Sequence, residues 1–383
     1  MTIVISCSND NDFDNSNTQS TNYFVTINDV KNIVQSNRLK NSKSVFDSIN
    51  IEIDTIYEVP DKNDLTAYYI INFKEKGFFI LSADKRIEPF LAYSVENSLY
   101  LDSEAYPSGL VSWLHFQKTY VEEIRKINGE ATDFVNHLWN QADNGSLSRM
   151  LYVGYVEGDT GGDGGNPFCN PYMVKKEPLL DTKWGQRCTY NSQAPSMSCS
   201  PNQCGNALTG CVATAMAQVM KYYEHPNSYN WSNMPNNVGN YNVAKLMRDV
   251  GNAVSMDWGC DASGAGVEDE VPSAFTQNFN YSSATYDDYD YQVVKSQLNL
   301  NKPVILKGGT NAGWWIFGDY TKGHAWVADG YRNLIYPCYG SYLHFHMNWG
   351  WEGTYDGWFS LNNFNPGNSS YNYQRGMVYN INP

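Results

Sequence analysis

The chain is short of charge, of histidine and of long apolar runs, and each shortage removes a class of function. Only 17% of its 383 residues are charged, while 15% are aromatic, including 29 Tyr and 11 Trp. That composition builds cores and does not describe a disordered chain. The formal net charge of −14 lacks the positive excess that nucleic acid or an anionic membrane surface would require. No apolar run approaches the roughly 20 residues needed to span a bilayer. Cys199 and Cys204 have no second pair at zinc-site spacing, and no histidine cluster completes them. Neither a metal nor another cofactor is expected. No internal period marks a repeat protein, and the length allows two domains with cores of their own.

The first residues read as a tether. Val4-Ile5-Ser6-Cys7 resembles the end of a bacterial lipoprotein signal, in which the cysteine becomes acylated, and the polar run Ser8 to Asn17 follows. Met1 to Ser6 is too short for a charged segment plus an apolar segment of roughly 7–15 residues. Residues 1–21 are therefore expected to be a signal remnant and tether. Export follows, with Cys7 as the candidate site of lipid attachment and that anchor as the sole membrane contact. Residues 22–150 have the composition of a small α+β domain. A short helix is expected over Asp29 to Asn37, a hairpin over Ala67–Phe73 and Gly77–Ser82, and an amphipathic helix over Val111–Ile127. His115 and His137 lie here, but no nucleophile and base do. Glycine is dense from Glu157 to Pro167, which predicts a flexible, protease-sensitive linker over residues 151–176. A calcium loop is the alternative, although the spacing fits no EF-hand. Residues 177–383 form the second domain, where one helical core precedes a run of strands, again α+β.

The chemistry centres on Cys211. From Val212 to Met220 nearly every residue is small or apolar, and a helix apolar on all sides belongs inside a domain. Thr209 or Gly210 can cap it, and Pro226 prevents its continuation. Cys211 then sits at the first turn, where free N–H groups and the macrodipole favour an anion, so its pKa is expected to fall to roughly 3.5–7.5. Alone, such a cysteine is a small core hydrophobe. Its partners argue otherwise. Gly323-His324-Ala325 puts a histidine at the start of a strand, and Asn348-Trp349-Gly350-Trp351 ends the next one. Asn348 is expected to orient the imidazole and Trp349 to shield that bond, in the order Cys, His, Asn of papain-like triads. Gln186 supplies an amide for an oxyanion beside the Cys211 N–H. His344 and His346 lie two apart on a strand and are read as structural, as is His225 at the helix end. Setting Cys7 and Cys211 aside leaves six cysteines; pairing is expected within Cys188 to Cys204, and the connectivity stays open.

These motifs resemble the streptopain family of bacterial cysteine proteases, which includes interpain. Gly210-Cys211-Val212-Ala213-Thr214-Ala215 is similar to its nucleophile helix, Gly323-His324-Ala325 to its histidine motif, and Asn348-Trp349-Gly350-Trp351 to its Asn-Trp motif. Trp184-Gly185-Gln186 resembles its oxyanion segment, and Ser263-Gly264-Ala265-Gly266 its cleft loop. Ile80 to Arg86 and Leu91 to Ser94 look like its prosegment. The resemblance implies a papain-like fold preceded by an inhibitory prodomain, cut off within the linker. It also implies endopeptidase activity on protein and peptide substrates, with the prodomain as an intramolecular inhibitor. Cys211, His324, Asn348 and Gln186 would be catalytic; Trp349, Trp351, Gly210, Gly323, Ser263 and Gly264 would support the cleft. A Cys-His cell-wall amidase or transglutaminase, or an inactive surface-binding protein on the same fold, is the competing expectation.

Overall fold

The computed structural model describes residues 23–38, 52–103, 106–127, 129–145, 171–308, 323–360 and 375–383. Cys7, the tether, and residues 151–170 of the expected linker lie outside the described residues.

The N-terminal half begins with α1 (Ile27–Arg38), where the Asp29 carboxylate accepts from both the N–H and the hydroxyl of Thr26. Four antiparallel strands follow: β1 (Ile53–Pro60), β2 (Thr66–Phe73), β3 (Phe78–Ser82) and β4 (Phe90–Ser94). Thr-Ala-Tyr-Tyr-Ile-Ile-Asn-Phe is almost continuously apolar because both faces of β2 are buried. Helices α2 (Ser108–Lys126) and α3 (Asp133–Asp143) complete the unit, with the Thr132 side chain capping α3.

In the C-terminal half the first element is β5 (Tyr172–Lys176). Its five residues fall inside the expected linker. They pair with Tyr331–Ile335 of a long strand, so the extended backbone there is held by a ladder. Next come α4 (Cys211–Tyr223), α5 (Tyr241–Ala253), the short α6 (Glu270–Ser273), β6 (Ser283–Asp288) and α7 (Tyr291–Asn299). The strands β7 (Val304–Gly308), β8 (His324–Tyr336), β9 (Gly340–Asn348), β10 (Gly357–Ser360) and β11 (Gly376–Asn382) close the chain.

All these strands join one sheet, in the order β1-β2-β3-β4-β10-β9-β8-β7-β11-β6, with β5 beside the far half of β8. The halves are stitched together at β4 and β10, where Tyr93 faces Trp358 and Ala92 faces Phe359. Side chains alternate across a strand, and on β8 this sorts the two cores. Ala325 and Val327 pack with Val212, Met216 and Val219 of α4. Trp326 and Ala328 share the opposite core with Leu110, Trp113 and Leu114 of α2, and with Trp349 and Phe359. The C-terminal sheet is thus sandwiched between its own helix α4 and a helix of the N-terminal half.

Candidate active site

Helix α4 starts at Cys211, and every residue from Val212 to Met220 is buried, as expected of a helix apolar all round. Gly210 is its N-cap at φ +83° with no side-chain cap. A methyl group built on Gly210 would lie 2.9 Å from the Met256 side chain and from the Ser263 carbonyl, so the position demands glycine on both counts. Ser263 and Gly264 form the wall that approaches it. Asp257 and Gly264 exchange backbone hydrogen bonds, and the Ser263 hydroxyl donates to Leu208 O at 2.7 Å. Two disulfides brace this wall. Cys188 joins Cys204, as expected within that stretch, but Cys199 reaches out of it to Cys260. Cys338 is also disulfide-bonded, and Cys211 is the free cysteine among the described residues.

The Cys211 Sγ accepts from the Ala325 N–H at 3.4 Å, so the thiol lies against the residue following His324. Its expected acidity is not what the structure shows. Burial pushes the thiol above its ordinary pKa, while hydrogen bonds from the N–H groups of Ala325, Val212 and Cys211 itself pull the other way. Among the described residues no cation is drawn up to the sulfur, and desolvation outweighs the helix terminus.

His324 is buried, with its imidazole stacked on Trp326 at 6.0 Å between ring centroids. Nε2 donates to the Trp349 carbonyl at 3.4 Å. Burial holds its pKa down at about 4, against which that carbonyl contact acts only partly. The ring shares the α2 face with Trp326. There Gly109 of α2 presses on it: a methyl group built at Gly109 would stand 2.7 Å from His324 Cδ2, 2.8 Å from Trp326 and 2.9 Å from Trp349. The half of the chain that reads as chemically silent therefore supplies a direct contact to the imidazole.

Asn348 is placed otherwise than expected. It pairs with Val327, on the α4 face of the sheet, opposite to His324. Its Oδ1 accepts from Gln218 Nε2 at 3.0 Å and from the Gly350 N–H at 3.1 Å, and its Nδ2 donates to Thr182 O at 2.8 Å. The imidazole is held by the backbone of the neighbouring residue instead. Gln218, fully buried on α4, also accepts from the Trp184 N–H at 3.1 Å. It thereby ties the Trp184-Gly185-Gln186 segment to the Asn-Trp turn. A lone amide on an otherwise apolar helix was the signal for it. Gln186 is half-buried, and its carbonyl accepts from the Thr209 N–H at 3.2 Å, two residues ahead of Cys211. Trp349 is buried and donates Nε1–H to Tyr355 O, whereas Trp351 sits by the Arg187 guanidinium at 5.7 Å. Gly323 leads into β8 next to Gly308 O. His344 and His346 are structural as expected, on Phe90 O and the Asp329 carboxylate respectively.

Against known families, the peptidase C10 family profile matches residues 184–229 and 227–359, and that of the Spi protease inhibitor matches residues 30–121. The C-terminal half thus matches the peptidase C10 family, and the N-terminal half matches a protease inhibitor. Streptopain of Streptococcus pyogenes is 27% identical over 345 residues, covering 78% of this chain and 74% of its own. The thiol protease/hemagglutinin PrtT of Porphyromonas gingivalis is 25% identical over 361 residues, which cover 83% of this chain and 36% of that protein. Prointerpain A of Prevotella intermedia superposes with a TM-score of 0.58 at 24% identity, covering 86% of this chain and 99% of that one. The protein is a cysteine protease built as a zymogen, with an N-terminal inhibitory domain and peptide substrates.

Proposed function

We propose that this protein is an exported cysteine endopeptidase in which Cys211 is the nucleophile and His324 the general acid and base. The observation that carries the assignment is the meeting of the α4 start with the β8 start: the one free thiol among the described residues accepts from the N–H of Ala325, the residue that follows His324. In the latent geometry the thiol and the imidazole are both neutral and lie on different sides of β8. When the inhibitory domain leaves, the space now filled by Gly109 opens and the His324 side chain is freed to turn toward Cys211. The imidazole then takes the thiol proton, and the thiolate attacks the substrate carbonyl. The oxyanion is received by the Cys211 N–H and the Gln186 amide. Imidazolium protonates the leaving amine, and water, deprotonated by the imidazole, hydrolyses the acyl-enzyme. Asn348 supports this site through Gln218 and the turn at Gly350. Gly210, Ser263 and Gly264 line the cleft, Trp349 and Trp351 its opposite lip, and Gly323 the entry to β8.

Domain limits follow the same reading: a tether to residue 21, an inhibitory domain over 22–150, and a peptidase beyond a cut that precedes β5. The disulfides in the peptidase half suit an oxidising compartment, and Cys7 is the proposed lipid anchor. The test is Cys211→Ala in the full chain, with a fluorogenic peptide and intact mass as readouts. Loss of both turnover and self-processing, with an unchanged circular dichroism spectrum, is expected. Turnover that survives the substitution refutes the assignment.

A further inference from the structure

Gln218 is a fully buried amide on the helix that carries Cys211. It follows Cys211 by seven residues, about two helical turns, which puts the two side chains on one stripe of α4. Thr214 lies on the same stripe, and a methyl group built on Gly350 would lie 3.1 Å from its side chain. The Gln218 amide faces two segments at once. Its Oε1 accepts the Trp184 N–H at 3.1 Å, two residues ahead of Gln186. Its Nε2 donates to Asn348 Oδ1 at 3.0 Å, and Asn348 Nδ2 donates back to Oε1 at 3.3 Å. The two segments are also bonded to each other, the Glu352 N–H donating to Trp184 O at 3.2 Å. All these groups belong to the peptidase half, and the core packed around α4 draws its residues from that half alone. The bonds therefore depend neither on the inhibitory domain nor on which face of β8 the imidazole occupies.

We propose that Gln218 is a positioning residue for the proteolytic reaction, its amide setting the Trp184-Gly185-Gln186 segment and the Asn-Trp turn against the helix that carries the nucleophile. This rests on the reading of Cys211 as that nucleophile and of Gln186 as an oxyanion donor. Such a donor acts only at close range to the place where charge develops. The seat of Trp184 on α4 therefore sets where the Gln186 amide stands relative to the sulfur. The seat needs a donor and an acceptor in one side chain: the acceptor holds Trp184, and the donor holds Asn348. Asn348 cannot turn over to make good a lost donor, because that would aim Oδ1 at the Thr182 carbonyl and Nδ2 at the Gly350 N–H.

The test measures kcat and KM on a fluorogenic peptide for Gln218→Met, Gln218→Glu and Gln186→Ala, each expressed as the full chain and matured by added tagged wild-type enzyme that is then removed. Gln218→Met keeps the length of the side chain and loses its bonds. Its kcat should fall roughly ten- to hundredfold, less than the outright loss of an oxyanion donor, with KM nearly unchanged. A protonated glutamic acid offers one donor and one acceptor, as the amide does. Burial raises its pKa, and the groups that meet it, the Trp184 N–H and the Asn348 amide, carry no charge. Relative to wild type, Gln218→Glu should therefore approach full kcat at about pH 5 and lose it as pH rises, once the carboxylate can no longer donate to Asn348. An unchanged kcat in Gln218→Met, or a Gln218→Glu to wild-type ratio that stays level from about pH 5 to about pH 9, overturns the proposal. If the methionine variant does not fold, the glutamate profile alone decides. Wild-type kcat in Gln186→Ala would sink the underlying reading, whereas an impaired Gln186→Ala beside wild-type Gln218 variants sinks only the positioning role.

Discussion

The contact of Gly109 with the imidazole makes latency adjustable from the inhibitory domain. A Cβ at that position would meet three aromatic rings at 2.7, 2.8 and 2.9 Å. None of the three can swing aside, because His324, Trp326 and Trp349 are all buried and in mutual contact. Overpacking of this kind costs about 1–3 kcal/mol. Alanine in a helix returns up to about 1 kcal/mol of propensity, so Gly109→Ala nets near zero to about 2 kcal/mol. Gly109→Leu keeps most of that propensity and adds three carbons to the clash, which places it at or above the upper figure. A shift of about 2 kcal/mol changes a closed-to-open ratio by roughly thirtyfold. The assay is the rate at which a thiol-directed epoxide labels full-length protein, followed by intact mass before processing sets in. Gly109→Leu should label at least tenfold faster than wild type, by the same arithmetic. Gly129→Leu serves as the control, since a Cβ there meets only Ile127 at 3.6 Å. Equal labelling of Gly109→Leu and wild type would refute the idea that this helix face confines the imidazole.

Two further outcomes follow from stability. Replacing both Cys199 and Cys260 by serine removes a link across 61 residues of chain and should cost about 4 kcal/mol; a non-reducing thermal melt with unchanged midpoint would contradict the bracing role. The pH dependence has a definite sign. His324 and His344 are each lowered from 6.5 to about 4 by burial. The stability they lend is complete above pH 6.5 and lost as pH falls toward 4, about 3 kcal/mol for each. Asp356, raised from 3.8 to about 7, runs oppositely and stabilises the fold as pH falls through the same window. The Asp356→Asn zymogen should therefore lose melting temperature more steeply between pH 6.5 and 4 than the wild type, and parallel curves would disprove the assignment.

Much of the architecture is legible in local pattern. The all-apolar run after Cys211 can only be a buried helix, and α4 begins and ends where Gly210 and the approach of Pro226 require. The β2–β3 hairpin follows from two β-rich runs around Lys74-Glu75-Lys76. What escapes a linear reading is whatever depends on pairing between distant segments. β5 looks like linker because its side chains are largely exposed, and only its ladder with β8 makes it a strand. The Cys199–Cys260 bond depends on the cleft wall folding back over the segment before Cys211. Asp356 carries no motif of its own, and Gly109 is a glycine in an ordinary amphipathic helix until the rings it touches are known.

The same dependence explains why the order Cys, His, Asn along the chain does not produce the expected bond between Asn348 and His324 in the latent form. Order along the chain says which strands carry the groups, but strand parity says which face they occupy. His324 and Trp326 have one parity on β8, and Val327, opposite Asn348, has the other. Asn348 can meet the imidazole only if His324, the first residue of β8, leaves the face that its parity assigns. The inhibitory domain opposes this by extending the sheet through β4 and β10 and by adding α2 to the very core that holds Trp326 and Trp349. In the proposed mechanism its inhibition is therefore stored in the fold of the peptidase itself. Cutting the linker alone would leave the strand pairing and the shared core intact, so cleavage and activation are separate events. A nicked zymogen should remain resistant to epoxide until the β4–β10 contact is broken, and immediate labelling on nicking would show that the cut by itself releases the imidazole.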